Sequence, residues 1–448
     1  MELCRQEANK RIKEGPVILT IFFLHLMVGI FPTQGMIYLI WAGLIVFSLL
    51  KPSYAVVGWI MLLPLEQYVT RQVGFSPFIG HTLILFGGVL WDGLWIRNIR
   101  MGVQKNGTSL SIITGLLMVG GFIGYNSLDN IRGLISVGLL VGIFLAVVYH
   151  IRQGRMSLII ASVIGTSILG IATSIIGFEN TWRIAIDGNV RVLSNALGLS
   201  MVFTLGILLG DRIIEKYSLQ DQRKLKILAG GTTLLFALFL ITTVSRGAIL
   251  AVALSASGMI AIKLFSVKNK KESLKKGLYS LPFIGFFIFA VNLIEQHITD
   301  GHLGRRLNLE MFDNIRFEIW GAALGQLNSM EWLIGIGPDS FRQLAMHGGY
   351  DYYAHSVFVD MLVSFGIPGL LLLTGLLLLC LANHILNKNI LALGTTAYLL
   401  ISFSTHGSLN SKFFWLTFAI VYGSFYLDSI DFHNRMIHKV LQTRHPNS

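Results

Sequence analysis

The sequence predicts an all-α, polytopic membrane protein with about fourteen transmembrane helices, within a range of 12 to 14. Of its 448 residues, 53% are hydrophobic and only 13% are charged, whereas soluble domains average about 25% charged residues. A membrane-spanning helix needs about twenty mostly apolar residues, and such runs recur along the whole chain. The net charge of +12 is spread over short segments between these runs, as orientation signals are. We therefore predict the lipid bilayer as a partner, and no nucleic acid.

The predicted spans alternate with short polar segments from one end of the chain to the other. The third span contains Pro64, which interrupts a helix, so we expect it to be short or broken. The fourteen spans are 17–31, 36–50, 54–69, 78–96, 110–125, 132–149, 157–177, 191–210, 227–244, 247–265, 277–293, 354–383, 390–405 and 413–428.

Lysine and arginine are distributed unevenly between the two sides of this topology. With the N-terminus in the cytoplasm, 25 of the 35 basic residues face the cytoplasm and 10 face outward. Cytoplasmic loops of membrane proteins carry such an excess. The sequence therefore predicts a multi-pass protein of the inner (cytoplasmic) membrane with both termini in the cytoplasm.

One outward segment, residues 294–353, is far longer than the others and rich in aromatic residues. It divides the chain into spans 1–11 (1–293), a large extracytoplasmic loop (294–353), and spans 12–14 with a cytoplasmic tail (354–448). Apolar residues recur at helical spacing over 312–330, which predicts an amphipathic helix on the outer leaflet. We expect this loop to fold as a small cap.

The ten outward basic residues comprise nine arginines and one lysine. Arginine side chains at helix ends commonly extend their charge into the interface. Arginine is also the residue that holds phosphate oxygens with a planar, permanently charged fork. Both interpretations remain open for the group as a whole.

Four motifs lie on the predicted outer side. Arg191 opens the eighth span, and Ser245-Arg246-Gly247 separates two apolar runs. The loop carries Arg316 and Trp320, four residues apart, before the segment 335–341, which reads Gly-Ile-Gly-Pro-Asp-Ser-Phe. His355-Ser356 opens the twelfth span and is followed, after nine intervening residues, by Gly366-Ile367-Pro368-Gly369.

In their order and spacing, these motifs resemble the O-antigen ligase and polysaccharide polymerase superfamily of bacterial envelope enzymes. The resemblance covers about residues 185–385, with Ser356 where many members have Asn. It implies a GT-C-like glycosyltransferase that moves a glycan from a polyprenyl diphosphate carrier to a glycan, lipid or other envelope acceptor. It also implies an extracytoplasmic active site that uses no metal ion, nucleotide sugar or other cofactor. Ligase and polymerase share these motifs, so both remain open.

Departure of a polyprenyl diphosphate leaves negative charge on its bridging oxygen, which fixed cations stabilise. We predict that Arg191, Arg246 and Arg316 bind the diphosphate, and that Arg246, Arg316 and His355 act in catalysis. His355 is a candidate either for deprotonating the acceptor hydroxyl or for donating to the diphosphate. Asp360, an ionisable residue within a span, and Trp320 are further candidates for substrate binding. No cluster of His or carboxylate residues shows metal-ligand spacing.

Two other classes of function remain possible from the sequence. A lipid-linked glycan flippase or a secondary transporter also has many spans, but such folds show internal repeats and charges at mid-membrane. Here the charges lie mostly at one face. A non-catalytic scaffold would tolerate replacement of the arginine and histidine motifs.

Overall fold

A computed structural model describes residues 2–95, 128–176, 190–210, 218–243, 245–266, 315–406 and 409–444. Side chains are described for most of these residues. The exceptions are 2–14, 93–95, 128–134, 176, 190, 246, 265–266, 315, 405–406 and 429–444. The described residues fold into sixteen α-helices and contain no β-strand. We number them α1 (Glu2–Ile30), α2 (Gln34–Leu50), α3 (Ser53–Leu62), α4 (Glu66–Val73), α5 (Pro77–Trp95), α6 (Leu128–Arg152), α7 (Met156–Ile176), α8 (Val190–Leu208), α9 (Leu219–Thr242), α10 (Arg246–Ser266), α11 (Ile315–Leu324), α12 (Ser329–Ile334), α13 (Ser340–His347), α14 (Val357–Leu386), α15 (Ile390–His406) and α16 (Lys412–Arg444).

Six described helices are long and apolar enough to cross a membrane: most of α6, α7, α8, α9, α10 and α14. Shorter apolar helices occupy 15–30, 34–50, 53–62 and 390–404. The all-helical prediction is therefore confirmed for the described residues, and the apolar helices indicate a multi-pass membrane protein. Predicted spans 110–125 and 277–293 lie outside the described residues, so the number fourteen stays a prediction.

The third predicted span is interrupted, as Pro64 led us to expect. Helix α3 ends at Leu62 and α4 begins at Glu66. Because Pro64 has no N–H, it cannot donate to the carbonyl of Ile60 four residues earlier. That carbonyl accepts instead from the N–H of Leu63 at 3.2 Å and from the hydroxyl of Thr166 in α7 at 3.1 Å. The interruption thus fastens α3 to α7.

The twelfth span, predicted as one continuous helix over 354–383, is broken. Helix α14 contains one non-helical residue, Gly366, at φ 67° and ψ −170°. Two residues later, Pro368 lacks the N–H that would bond to the carbonyl of Ser364. The prediction missed this break because hydropathy does not change across it.

The single amphipathic helix predicted over 312–330 is also wrong. The chain forms α11, turns, and starts α12 at an Asn328–Glu331 capping box. Asn328 is a strong helix N-cap residue and Glu331 completes the box, so a new helix starts there. Residues 312–314 lie outside the described residues.

Described residues of the loop form a small cap with its own apolar cluster. Ile319 and Ala323 of α11 are buried with Phe341 and Ala345 of α13 and with Val363 of α14. The main core lies below, among α6, α8, α10, α14, α15 and α16. The cap therefore rests on the first half of α14, and His355 lies at this junction.

Candidate active site at the junction of the cap and α14

His355 immediately precedes α14 and has an unusual backbone conformation. Its φ is +52°, in the left-handed region, which costs a residue with a side chain about 1–3 kcal/mol. The next residue, Ser356, caps α14, and its side chain accepts from the backbone N–H of Val359 at 3.4 Å. His355 therefore lies in the turn before α14 and not within the helix.

Trp320 of α11 fastens this turn to the cap. Its indole N–H donates to the carbonyl of Ala354 at 2.6 Å. Its ring packs edge-on against Phe317, with ring centroids 5.3 Å apart. The indole N–H thus has its partner within the protein. The substrate contact predicted for Trp320 stays a prediction, and it would involve the ring atoms other than this N–H.

Arg191 lies in the first turn of α8 and reaches across 164 residues of sequence to the site. Its guanidinium Nη1 lies 3.0 Å from Nδ1 of His355. Four residues further along α8, Asn195 anchors the helix to α15, because Ser402 donates to its Oδ1 at 3.0 Å and Tyr398 to its carbonyl at 3.2 Å. A fixed helix therefore carries Arg191.

The electrostatic environment keeps His355 neutral. Partial burial and the positive charges of Arg191 and Arg316 lower the pKa of His355 to about 4. Arg316 thus lies close enough to act on the imidazole, although α8 and α11 carry the two arginines separately. Cations from two remote elements converge on one histidine, which is an arrangement that favours a bound anion.

Arg246 is the first residue of α10, and its side chain lies outside the described residues. Only residues 243–245 separate α9 from α10, and α9 and α10 both pack against α8. A Cβ at Gly210, just after α8, would lie 3.7 Å from Nζ of Lys226 in the first half of α9 and 3.8 Å from Nζ of Lys263 near the end of α10, so α8 and α10 end on the same side. Arg246 therefore starts its helix at the same end of the bundle as Arg191.

The two glycine motifs meet each other. Helix α12 ends at Gly335 (φ 77°), and the backbone N–H groups of Ile336 and Gly337 donate to the carbonyls of Val363 and Ser364 at 2.8 and 3.1 Å. These carbonyls are available because the break at Gly366 interrupts α14. A Cβ at Gly335 would lie 2.4 Å from the Ser364 oxygen, and one at Gly366 would lie 2.3 Å from the Leu333 oxygen. We call this contact the glycine junction.

Asp360 contacts the backbone just before α16. Its Oδ2 accepts from the backbone N–H of Leu409 at 2.8 Å, and the residue is buried. This bond ties Leu409 to α14. Its predicted contact with substrate stays a prediction, and the geometry gives it a structural partner.

Sequence reasoning missed Asp339, which lies beside this turn. Its φ is +69°, its carboxylate accepts from the Asn410 amide at 2.7 Å, and partial burial raises its pKa. Its place within the 335–341 motif was the available signal. A positive φ at a residue with a side chain cannot be read from the sequence.

Within the described ranges, His, Cys, Asp and Glu side chains do not gather in groups of three or more that could hold a metal ion. The site is instead defined by two arginines, one histidine and the backbone around them.

The family comparison coincides with this region of the chain. Residues 231–374 match the family model described as O-antigen ligase. The resemblance inferred from the motifs is thereby confirmed, and the family implies a membrane glycosyltransferase of the O-antigen ligase type. No curated protein matches the chain.

The O-antigen ligase match contains three of the four motifs and begins after the first of them. Arg246, Arg316 and His355 all lie inside the matched segment, whereas Arg191 lies before it. The hydrogen bond between Arg191 and His355 therefore extends the site beyond the matched segment of the domain.

Proposed function

We propose that this protein transfers a glycan from a polyprenyl diphosphate carrier to a hydroxyl of a glycan, lipid or other envelope acceptor. The observation that carries the proposal is the convergence of Arg191 and Arg316 on the neutral imidazole of His355. The O-antigen ligase domain over residues 231–374 supports the same class of reaction.

A diphosphate leaving group fits this site because its oxygens gain negative charge as the sugar departs. Fixed donors that match this developing charge stabilise the transition state more than the ground state. A charge-assisted hydrogen bond contributes about 1.5–3 kcal/mol, which corresponds to roughly ten- to a hundredfold in rate. Arg191 and Arg316 hold the diphosphate in this proposal, and Arg246 joins them from the start of α10.

The proposed reaction takes place on the extracytoplasmic face of the cytoplasmic membrane. The uneven division of the basic residues, 25 inward and 10 outward, supports this side. The glycan stays on its lipid carrier until transfer, so no nucleotide sugar takes part. Because the arginines supply the positive charge, the reaction proceeds without a metal ion.

The decisive experiment uses the purified protein in detergent with a polyprenyl diphosphate oligosaccharide. We expect release of polyprenyl diphosphate with matching growth or transfer of the glycan. Detergent removes the membrane compartments, so a flippase or transporter would leave the donor unchanged. Absence of turnover, together with donor movement in reconstituted vesicles, would favour the flippase.

The same assay tests independence from metals. Transfer should continue at its normal rate after treatment with EDTA and dialysis. The control is a metal-dependent glycosyltransferase treated in parallel, which must lose activity. Loss of transfer in EDTA, restored by Mg²⁺ or Mn²⁺, would contradict the role given to the arginines.

A further inference from the structure

The hydrogen bond between Arg191 and His355 fixes where the histidine carries its proton. A guanidinium has five N–H donors and no acceptor. At 3.0 Å from the Arg191 nitrogen, Nδ1 of His355 must therefore accept the bond and carry no proton. A neutral imidazole has a single N–H, so the proton of His355 is on Nε2.

We propose that His355 acts as a hydrogen-bond donor from Nε2 to the departing diphosphate oxygen, with Arg191 as the positioning residue that fixes this tautomer. This inference rests on the glycosyltransferase function proposed above. It decides between the two roles that the sequence left open for the histidine. His355 is not the general base of the reaction.

Neither ring nitrogen is available to take a proton from the acceptor. Nδ1 would have to lose its bond to Arg191, and Nε2 already holds a hydrogen. A protonated ring would also be repelled by Arg191 and Arg316, and these charges, with burial, account for the low pKa of His355. A general base must take up a proton, which the burial and the two positive charges disfavour. A hydrogen-bond donor stays neutral, so the same surroundings do not oppose it.

The turn that carries the imidazole is held in place on both sides. The left-handed conformation of His355, the Trp320 bond to Ala354 and the Ser356 cap fix this turn. The two nitrogens occupy different edges of the ring. Because Nδ1 is bonded to Arg191, the Nε2–H is the group that donates to the diphosphate in this proposal.

The proposed step is balanced without a co-reactant. The acceptor oxygen forms a bond to the anomeric carbon, and the bond from that carbon to the diphosphate oxygen breaks. The electron pair stays on the diphosphate oxygen, where the Nε2–H hydrogen bond stabilises it. The acceptor proton passes to bulk water, and His355 keeps its own proton throughout.

The proposal is tested by a substitution that keeps a hydrogen-bond donor at this position but cannot accept a proton as a base. In His355→Gln, the amide nitrogen takes the place of Nε2 and donates, the amide oxygen can accept from Arg191, and the group cannot act as a base. We expect His355→Gln to keep transfer within about tenfold of the wild type. His355→Ala and His355→Asn, whose amide is too short, should lose about a hundred- to a thousandfold.

The control is His347→Gln, at an exposed histidine of α13 whose Nδ1 bonds to its own helix at 2.7 Å, and it should be neutral. A His355→Gln variant no faster than His355→Ala would overturn the donor role, provided that the wild type releases polyprenyl diphosphate. A wild type that releases none overturns the proposed function itself, so the two failures are distinguishable.

The tautomer can be observed directly by ¹⁵N NMR on protein labelled at its 12 histidines. The signals absent from His355→Gln belong to His355. We expect Nε2 to be protonated and Nδ1 to be bare in the wild type, and a mixture of tautomers in Arg191→Met. A proton on Nδ1 in the wild type would overturn the role of Arg191.

Discussion

At the scale of the residue, function depends on which hydrogen-bonding groups an arginine presents, as much as on its charge. Arg191 meets the lone pair of His355, and a diphosphate would use the remaining N–H groups of the same fork. Lysine supplies a point charge without the planar geometry. The arginines of the site should therefore not be replaceable by lysine.

Arg246→Lys is expected to be nearly as damaging as Arg246→Ala, with a loss of about ten- to a hundredfold in steady-state glycan transfer. A side chain that only extends its charge to the membrane interface would accept lysine. Membranes with matched protein levels provide the measurement. Normal transfer by Arg246→Lys alongside failure of Arg246→Ala would show that the charge suffices.

The matched control for this substitution is Arg223→Lys, at an exposed residue of α9, and it should be neutral. Arg342→Lys, in the loop, would be a less suitable control. Its guanidinium forms two bonds to the Asp351 carboxylate, at 2.6 and 3.1 Å. This pair braces the segment that leads to His355, so a lysine at residue 342 would disturb more than a charge.

The pH dependence of transfer reports the environment of His355. Because its pKa is lowered to about 4, the ring is neutral above that pH. We expect kcat/KM to fall only as the pH drops through about 4, because a proton on Nδ1 breaks the bond to Arg191 that positions the ring. Arg191→Met removes one of the positive charges that lower the pKa, so the acidic limb should move to higher pH. A limb that stays in place in Arg191→Met would show that Arg191 does not act on the imidazole.

At the scale of the element, the glycine junction joins the cap to the broken helix α14. Both sides of the junction require glycine, because each backbone has positive φ and lies against the other with no room for a Cβ. The break in α14 supplies the two carbonyls that receive the cap. The position of His355, which lies between the two elements, depends on this contact.

Gly335→Ala and Gly366→Ala should each abolish most glycan transfer and lower the melting temperature in detergent. A Cβ would come within 2.4 Å of backbone atoms. The two backbone segments must then separate and lose two hydrogen bonds, worth about 0.5–1.5 kcal/mol each. Thermal unfolding followed by intrinsic fluorescence, together with the transfer assay, gives both quantities.

Gly349→Ala is the control for the junction. Gly349 also has a positive φ, of 86°, but a Cβ there would meet nothing within 4 Å. It should cost only the backbone strain, about 1–2 kcal/mol, and leave transfer near normal. Equal losses from all three alanines would mean that strain, not the contact, explains the glycines.

At the scale of the whole molecule, the position of the site depends on the orientation of the bundle. The charge division predicts that the 294–353 segment faces outward and that residues 263–276 face the cytoplasm. The cap, the start of α8 and the start of α10 would then share the extracytoplasmic face. Every proposal on the substrate requires this arrangement.

Single cysteines at His347 and Lys270, in a chain from which Cys4 and Cys380 are removed, test the orientation. An impermeant thiol reagent applied to cells with a permeable outer layer should label His347→Cys and not Lys270→Cys. Both should react after lysis, which is the control for accessibility. Labelling of Lys270→Cys alone in intact cells would reverse the topology and place the site in the cytoplasm.

The sequence by itself determined the helical membrane character, the break at Pro64 and the residues of the O-antigen ligase motifs. These are local properties: hydropathy, the missing N–H of proline and the spacing of side chains along one segment. The tertiary structure decided the pairing of Arg191 with His355, the bond from Trp320 to Ala354, the partner of Asp360 and the contact between the two glycine motifs. Each of these joins elements that are remote in the chain, and hydrogen-bond direction and backbone clearance exist only once those elements pack. The tautomer of His355 follows from such a contact, so the sequence left its role open.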